Sequence, residues 1–207
     1  MLRVAGVARF KLPLFLMPLL LMSAPGAFAA EDIVEKAQLC ATCHGKDGVP
    51  IDKTIPVIWG QNEGYFYLQL RDFKIGTRKQ AVMSPIAAPL EKEDMLALAA
   101  YFSKLEWPNL QQPSAPKDVA TKALSASASV GCPGCHLEYY QGDGTTARLA
   151  GQRREYLAKT MNEFRDHTRG NNPGMSSLMK STSPEAIAAL AEYLAGLQID
   201  SYIGENR

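Results

Sequence analysis

Cysteine and histidine are scarce in this chain, and its net charge is close to zero. The 207 residues include four cysteines and three histidines. The formal charge of +1, or about −2 once the stretch 1–29 is left out, excludes binding to nucleic acid or to an anionic membrane by charge alone. No segment shows the alternation of apolar and polar residues that a half-buried strand requires. The sequence therefore predicts an all-α protein whose chemistry depends on very few side chains.

All four cysteines lie in two C-x-x-C-H pentads, at 40–44 and 132–136. This spacing is typical of covalent haem attachment, in which two thiols add to the porphyrin and the following histidine binds the iron. The alternatives are a structural zinc site, a thiol redox pair or two disulfides. A zinc site needs four converging ligands, and a redox dithiol needs no histidine after it. We therefore predict two haem c groups. Their attachment residues and proximal ligands are Cys40, Cys43, His44, Cys132, Cys135 and His136.

The N-terminal segment 1–29 has the pattern of a secretory signal peptide. Three basic residues precede an apolar run at 12–22, and Ala27-Phe28-Ala29 places small residues where a signal peptidase reads. The run is too short and too interrupted by proline to favour a membrane span. We predict cleavage after Ala29, with Ala30 as the next choice and an uncleaved anchor as the alternative. Export to the periplasm agrees with covalent haem attachment, which takes place outside the bacterial inner membrane.

The remaining chain contains one unit twice, at an offset of 91 or 92. The haem histidines align at 92, whereas Gly60-Gln61 and Gly151-Gln152 align at 91. We predict domains at 30–106 and 118–207, which we call the first and second units. The proline-containing segment 107–117 is predicted to be an extended, fairly stiff linker.

Each unit is predicted to have three main helices, because apolar residues recur at helical spacing. The first helix leads into the pentad, at 31–39 and at 119–130. The second and third carry matched apolar stripes: Phe66, Leu70 and Phe73 with Leu157, Met161 and Phe164, then Met95, Leu98 and Phe102 with Ile187, Leu190 and Leu194.

Met83 and Met175 are the predicted sixth ligands of the two irons. The interval from the haem histidine to the methionine is the same in both units, and each methionine precedes a serine in a predicted loop with a proline nearby. A haem closed by methionine mostly passes electrons, whereas an open one binds small ligands. Core packing is the alternative for both residues. Met179 has Ala87 opposite it in the repeat, so a ligand there is not supported.

Other residues are candidates for contacts around the haems. Those that recur at matched positions and could reach haem propionates are Gln61, Arg78, Gln152 and Arg169. Helix capping or surface solvation is the alternative for them. The carbonyls of Pro56 and Ala147 could accept the Nδ1 proton of the haem histidine in their unit, which fixes the ring. Ala147 lacks the fixed φ of proline, so the second site is expected to be less rigid. His167 is predicted to be a solvated surface residue.

These residues resemble the dihaem cytochromes c of the cytochrome c4 family. The resemblance is carried by the signal peptide, the paired C-x-x-C-H motifs, the G-Q-x-x-x-Y segments at Gly60 and Gly151, and the late methionines. It covers nearly all of the chain after the signal peptide. It implies two tandem class I cytochrome c domains, each a small helical fold wrapped around one covalently bound haem. Ala147 departs from the family pattern, which favours proline.

The resemblance also implies a periplasmic electron carrier, soluble or loosely attached to the membrane, that turns over no substrate of its own. In such proteins electrons come from a quinol-oxidising cytochrome complex or a dehydrogenase and go to a terminal oxidase. One alternative is the dihaem subunit of a larger dehydrogenase, such as flavocytochrome c sulfide dehydrogenase. The other is a dihaem peroxidase, which needs one iron with a replaceable ligand; the matched methionines disfavour it.

Overall fold

The computed structural model describes residue 1 and residues 26–198, and all regular secondary structure in them is helical. The first unit contains α1 (Gly26–His44), α2 (Glu63–Ile75), α3 (Met83–Ala87) and α4 (Lys92–Ser103). The second unit contains α5 (Lys117–Val130), α6 (Pro133–His136), α7 (Arg154–Arg165), α8 (Pro173–Lys180) and α9 (Pro184–Ala195). The predicted all-α class is confirmed. Most of the predicted signal peptide and residues 199–207 lie outside the described residues.

None of the helices in the described residues is both long and apolar enough to cross a membrane.

The two pentads have different backbones. α1 continues through the first pentad to His44, beyond the predicted end at residue 39. In the second unit, α5 ends at Val130 because Gly131 takes a left-handed conformation with φ 80°. Pro133 then begins the separate short helix α6, where its missing N–H is not needed.

Met83 and Met175 lie in short helices, so the prediction of loops around them was wrong. Met83 is the first residue of α3, and the side chain of Gln80 accepts its backbone N–H at 2.6 Å. Met175 lies in the first turn of α8, where Asn172 accepts its N–H at 3.0 Å. Asn172 is thus the N-cap of α8, while Gln80, which precedes the N-cap of α3, satisfies the first backbone N–H of that helix.

Each unit has its own apolar core. In the first unit α2 packs on α4, and the rings of Phe66 and Phe102 stack at 5.3 Å. In the second unit α9 packs on α5 and α7. The methionines assigned to the core rather than to iron, Met95, Met161 and Met179, are all buried there. The two cores support the prediction of a duplicated unit.

The predicted linker is extended and lies against the second unit. Residues 106–116 contain no helix. Trp107 is buried, and the guanidinium of Arg148 lies 4.3 Å above its ring. The Gln112 side chain donates to the carbonyls of Gln152 at 2.9 Å and Ala195 at 3.1 Å. These contacts restrict the linker further than proline stiffness alone.

One pair of matched positions shows a left-handed backbone occupied by glycine in one unit and by another residue in the other. Gly76 follows α2 with φ 77°, and His167 occupies the matched place after α7 with φ 55°. His167 is exposed, as predicted. A Cβ at Gly76 would meet nothing within 4 Å, so any cost of a side chain there comes from the left-handed backbone.

We expect His167→Gly to raise the free energy of unfolding of the haem-loaded protein by up to about 1 kcal/mol, because glycine adopts this conformation without strain. The matched variant Gly76→Ala should lower it by a similar amount. Thermal unfolding followed by circular dichroism should show midpoint shifts of about 2–4 °C in opposite directions. A loss of stability in His167→Gly would contradict this account.

Candidate haem sites

A cavity of about 330 Å³ gathers the predicted residues of the first site. Cys40, Cys43, His44 and Met83 all line it, and the apolar stripe of α2 forms one wall. Cys40 and Met83 also pack against the core of the first unit. Two thiols, an imidazole and a thioether on an apolar wall are the donor set and surroundings that a covalently bound haem requires. The residues of this cavity therefore fit the cofactor.

The haem histidines are oriented by backbone carbonyls in both units. His44 Nδ1 lies 2.8 Å from the carbonyl oxygen of Pro56, and His136 Nδ1 lies 2.9 Å from that of Ala147. A carbonyl oxygen only accepts, so Nδ1 carries the proton and Nε2 keeps its lone pair for a metal. The two bonds are nearly equal in length. Alanine in place of proline therefore leaves the carbonyl within hydrogen-bond distance of the histidine.

Burial keeps both imidazoles neutral. It lowers the pKa of His44 and of His136, while the hydrogen bond to the carbonyl opposes that shift in each case. Both side chains are buried. A neutral imidazole is the form that binds iron.

The alternatives to haem find little support in the cysteine environments. All four cysteines are free of disulfides. Burial raises the pKa of the Cys40 thiol to about 11, which is the opposite of a reactive thiolate. In the part of the chain that the structure describes, no three His, Cys, Asp or Glu side chains are grouped as a zinc site needs.

In the second site, one attachment cysteine and the candidate methionine pack against the core of their unit. Cys132 and Met175 pack against the core of the second unit, as Cys40 and Met83 do in the first. Cys135 is exposed. The sequence repeat therefore extends to the packing of the candidate ligands.

The two predicted glutamines lie at the contact between the units. Gln61 and Gln152 are buried, and each carboxamide hydrogen-bonds to the backbone of the other unit. Gln61 bonds to both N and O of Arg148, at 2.8 and 3.1 Å. Gln152 bonds to both N and O of Val57, at 2.8 and 3.0 Å. These contacts are reciprocal, because residues 57 and 148 are themselves matched.

The two predicted arginines meet at the contact between the units. Arg78 donates to the Tyr156 hydroxyl at 3.1 Å, and Arg169 donates to the Tyr65 hydroxyl at 3.4 Å. Both also donate to the side-chain oxygen of Gln69, at 2.8 Å each. All five residues line the cavity that holds His44 and Met83.

This cluster has the electrostatics of an anion site. Burial opposes ionisation of Tyr156, but the charges of Arg78 and Arg169 outweigh it and lower the pKa of the phenol to about 7. Nη1 of Arg169 is buried without a hydrogen-bond partner. A carboxylate such as a haem propionate would satisfy that nitrogen and balance the charge.

Three residues at this contact were missed by the sequence analysis. Asn171 donates to the carboxylate of Asp72 at 2.7 Å and to the side-chain oxygen of Gln69 at 3.2 Å. The residues matched to Asp72 and Gln69 are Glu163 and Thr160. Because these pairs are not identical, the repeat gave no signal for them.

No protein-family model matches the chain. The chain is 32% identical to cytochrome c4 of Azotobacter vinelandii, over 78% of this chain and 86% of the relative. It is 33% identical to a thiosulfate dehydrogenase electron acceptor of Stutzerimonas stutzeri, over 78% of this chain and 80% of the relative. The crystal structure of reduced recombinant cytochrome c4 from Pseudomonas stutzeri is similar, with a TM-score of 0.72 and 29% identity. The match covers 82% of this chain and 98% of that one. On these grounds, the chain belongs to the cytochrome c4 family and is a dihaem electron-transfer cytochrome with two covalently bound haem c groups.

Proposed function

We propose that the two irons are closed by His44 with Met83 and by His136 with Met175, and that the chain relays single electrons between protein partners without turning over a substrate. The attachment residues proposed for the two haems are Cys40, Cys43, Cys132 and Cys135. The observation that carries this proposal is the single cavity lined by the first pentad and by Met83. When bound, each haem supplies a one-electron Fe(III)/Fe(II) couple.

The side chains around each iron set its reduction potential and keep it six-coordinate. The carbonyl bond to Nδ1 makes the histidine a stronger donor, which favours the ferric state. A methionine thioether is a weaker donor and raises the potential. Met83 and Met175 are partly buried and pack against their cores, which disfavours their exchange for an outside ligand.

Arg78 and Arg169 are proposed to balance haem propionates. The guanidinium carbon of Arg78 lies 4.5 Å from the ring centroid of Phe73, and that of Arg169 lies 4.4 Å from the ring centroid of Phe164. These cation–π contacts hold each guanidinium group in place. The partnerless nitrogen of Arg169 supports this role.

We also propose the site of action and the partners. The signal-peptide pattern of the segment 1–29 supports export to the periplasm. The two copies of the repeated unit are proposed to form domains at 30–106 and 118–207. A quinol-oxidising cytochrome complex or a dehydrogenase is the proposed donor, and a terminal oxidase is the proposed acceptor.

Replacing either methionine should leave one iron without its sixth protein ligand and lower the reduction potential of that haem. For Met83→Ala we expect the potential of the first haem to fall by on the order of 0.1–0.3 V, within the roughly 0.8 V range that axial ligands span. Met175→Ala should do the same to the second haem. A spectroelectrochemical titration of wild type and both variants measures the two potentials.

Met179→Leu is the matched control, because Met179 is buried in the second core close to Met175 in sequence. It should leave both potentials unchanged. Each alanine variant, when reduced, should bind one equivalent of carbon monoxide rapidly, whereas wild type should bind none. Rapid binding by the wild-type protein at either haem would refute methionine ligation there.

Intact mass should report the processing and the attachment together. The purified protein should have the mass of residues 30–207 plus two haems. A Cys132→Ala, Cys135→Ala double variant should keep the same N-terminus and lose one haem. Two haems retained by that variant would exclude the second pentad as an attachment site.

A second candidate is the acceptor of electrons from a thiosulfate dehydrogenase. The relative of that name, 33% identical to this chain, favours it. The purified oxidised protein should then be reduced by a thiosulfate dehydrogenase only when thiosulfate is present. Reduction by a quinol-oxidising complex but not by the dehydrogenase would favour the first proposal.

A further inference from the structure

We infer that each unit positions the proximal histidine of the other unit through a buried glutamine. Gln152 would act on His44, and Gln61 would act on His136. The inference rests on the proposed ligation of iron by these histidines. It adds a role for two residues whose hydrogen bonds, unlike those of Pro56 and Ala147, are not made to the haem histidines themselves.

In the first unit, three groups form one continuous chain of hydrogen bonds. The carbonyl of Pro56 accepts the Nδ1 proton of His44 at 2.8 Å. The N–H of Val57 belongs to the same peptide group, and it donates to Oε1 of Gln152 at 2.8 Å. Because a peptide group is planar and rigid, fixing its N–H also fixes the direction of its carbonyl. Gln152 therefore determines where the acceptor for His44 points.

The second unit repeats the chain with the roles exchanged. The carbonyl of Ala147 accepts the Nδ1 proton of His136 at 2.9 Å. The N–H of Arg148 belongs to that peptide group and donates to Oε1 of Gln61 at 2.8 Å. Each glutamine also donates through Nε2 to the carbonyl of the same residue, Arg148 or Val57, at 3.1 and 3.0 Å. The two bonds engage the two peptide groups that flank residue 148 or 57, and the bond to the N–H is the one that holds the peptide with the histidine's acceptor.

The same chain has an electronic effect. A peptide whose N–H is already bonded to an acceptor is polarised, and its carbonyl becomes a better acceptor. The histidine that donates to it becomes more basic and stabilises ferric over ferrous iron. Loss of the glutamine should therefore raise the potential of the haem in the opposite unit.

A different pattern of haem potentials is expected if the glutamines serve only to bind the two units to each other. Arg153 also crosses the contact, where it donates to the carbonyl of Pro50 at 2.9 Å. That bond does not touch the Pro56–Val57 peptide. If the glutamines only held the units together, losing the Arg153 contact and losing the Gln152 contact would affect the haems in the same way.

The test is the potential of each haem in Gln152→Met, Gln61→Met and Arg153→Met. Methionine keeps the length of glutamine and removes all three of its side-chain hydrogen bonds: the two across the contact and the one that Oε1 accepts from the N–H of the next residue. We expect Gln152→Met to shift the reduction equilibrium of the first haem three- to tenfold toward ferrous, an upward shift of about 30–60 mV. The second haem should not shift. Gln61→Met should give the converse, and Arg153→Met should shift neither.

The haems are told apart by the hyperfine-shifted methyl resonances of Met83 and Met175, assigned with the alanine variants of those residues. Amide hydrogen exchange of the peptide containing residues 56–58 should accelerate in Gln152→Met and not in Arg153→Met. If Gln152→Met does not accumulate, Gln152→Asn shortens the reach by one methylene and should give a smaller shift of the same sign.

Equal shifts of both haems in Gln152→Met, a shift confined to the second haem, or faster exchange at 56–58 without any change in potential would overturn the inference. Failure of the proposed ligation is a separate result. Failure of methionine ligation would appear as unchanged potentials in Met83→Ala and Met175→Ala, and failure of histidine ligation as an unchanged haem spectrum in His44→Ala or His136→Ala, whatever the glutamine variants do.

Discussion

The structure depends on the hydrogen bonds of two peptide groups, Pro56–Val57 and Ala147–Arg148. These bonds orient the two haem histidines and join the two units. Both lie in segments without helix, where the backbone has no regular partner. A buried N–H or C=O that lacks a partner costs about 1–3 kcal/mol. The histidine satisfies one side of each peptide and the glutamine satisfies the other. The loop can therefore be buried without regular secondary structure.

This solution makes the centre of the contact polar, although each unit has a separate apolar core. The carboxamides of Gln61 and Gln152 meet backbone groups, and the arginines meet tyrosine hydroxyls and the Gln69 oxygen. Apolar surfaces tolerate sliding, whereas a two-point bond from a carboxamide to one residue fixes register. A displacement of either unit would leave buried polar groups unpaired on both sides. The hydrogen bonds of these buried groups therefore specify the relative placement of the units.

The sequence predicted the helices, the repeat and the two carbonyl acceptors, because each depends on local spacing or on a motif. The apolar stripe at Phe66, Leu70 and Phe73 is one example. The bond from His44 to Pro56 is another, since Pro56 lies in the loop that follows His44 at the end of α1.

The failures concern contacts between distant parts of the chain. Gln61 matched Gln152 in the repeat, but nothing in the spacing indicates that each reaches a peptide of the other unit. The short helices at Met83 and Met175 were missed because the side chains of Gln80 and Asn172 satisfy backbone N–H groups in their first turns. Of these, the Asn172-Pro173 pair is a helix-start signal that was available in the sequence.

The reciprocity of the glutamine contacts is the geometry of an isologous interface. In a twofold dimer, residue i of one subunit meets residue j of the other, and j meets i. Here 61 meets 148 and 152 meets 57, and both pairs are related by the same offset of 91. The chain is in this sense a dimer whose subunits share one backbone. Identical subunits cannot differ across their axis, whereas covalent halves can. Gln69 faces both arginines, while its counterpart is Thr160. Fusion therefore permits the two haem sites to have unequal surroundings, which two identical subunits related by an exact twofold axis cannot have.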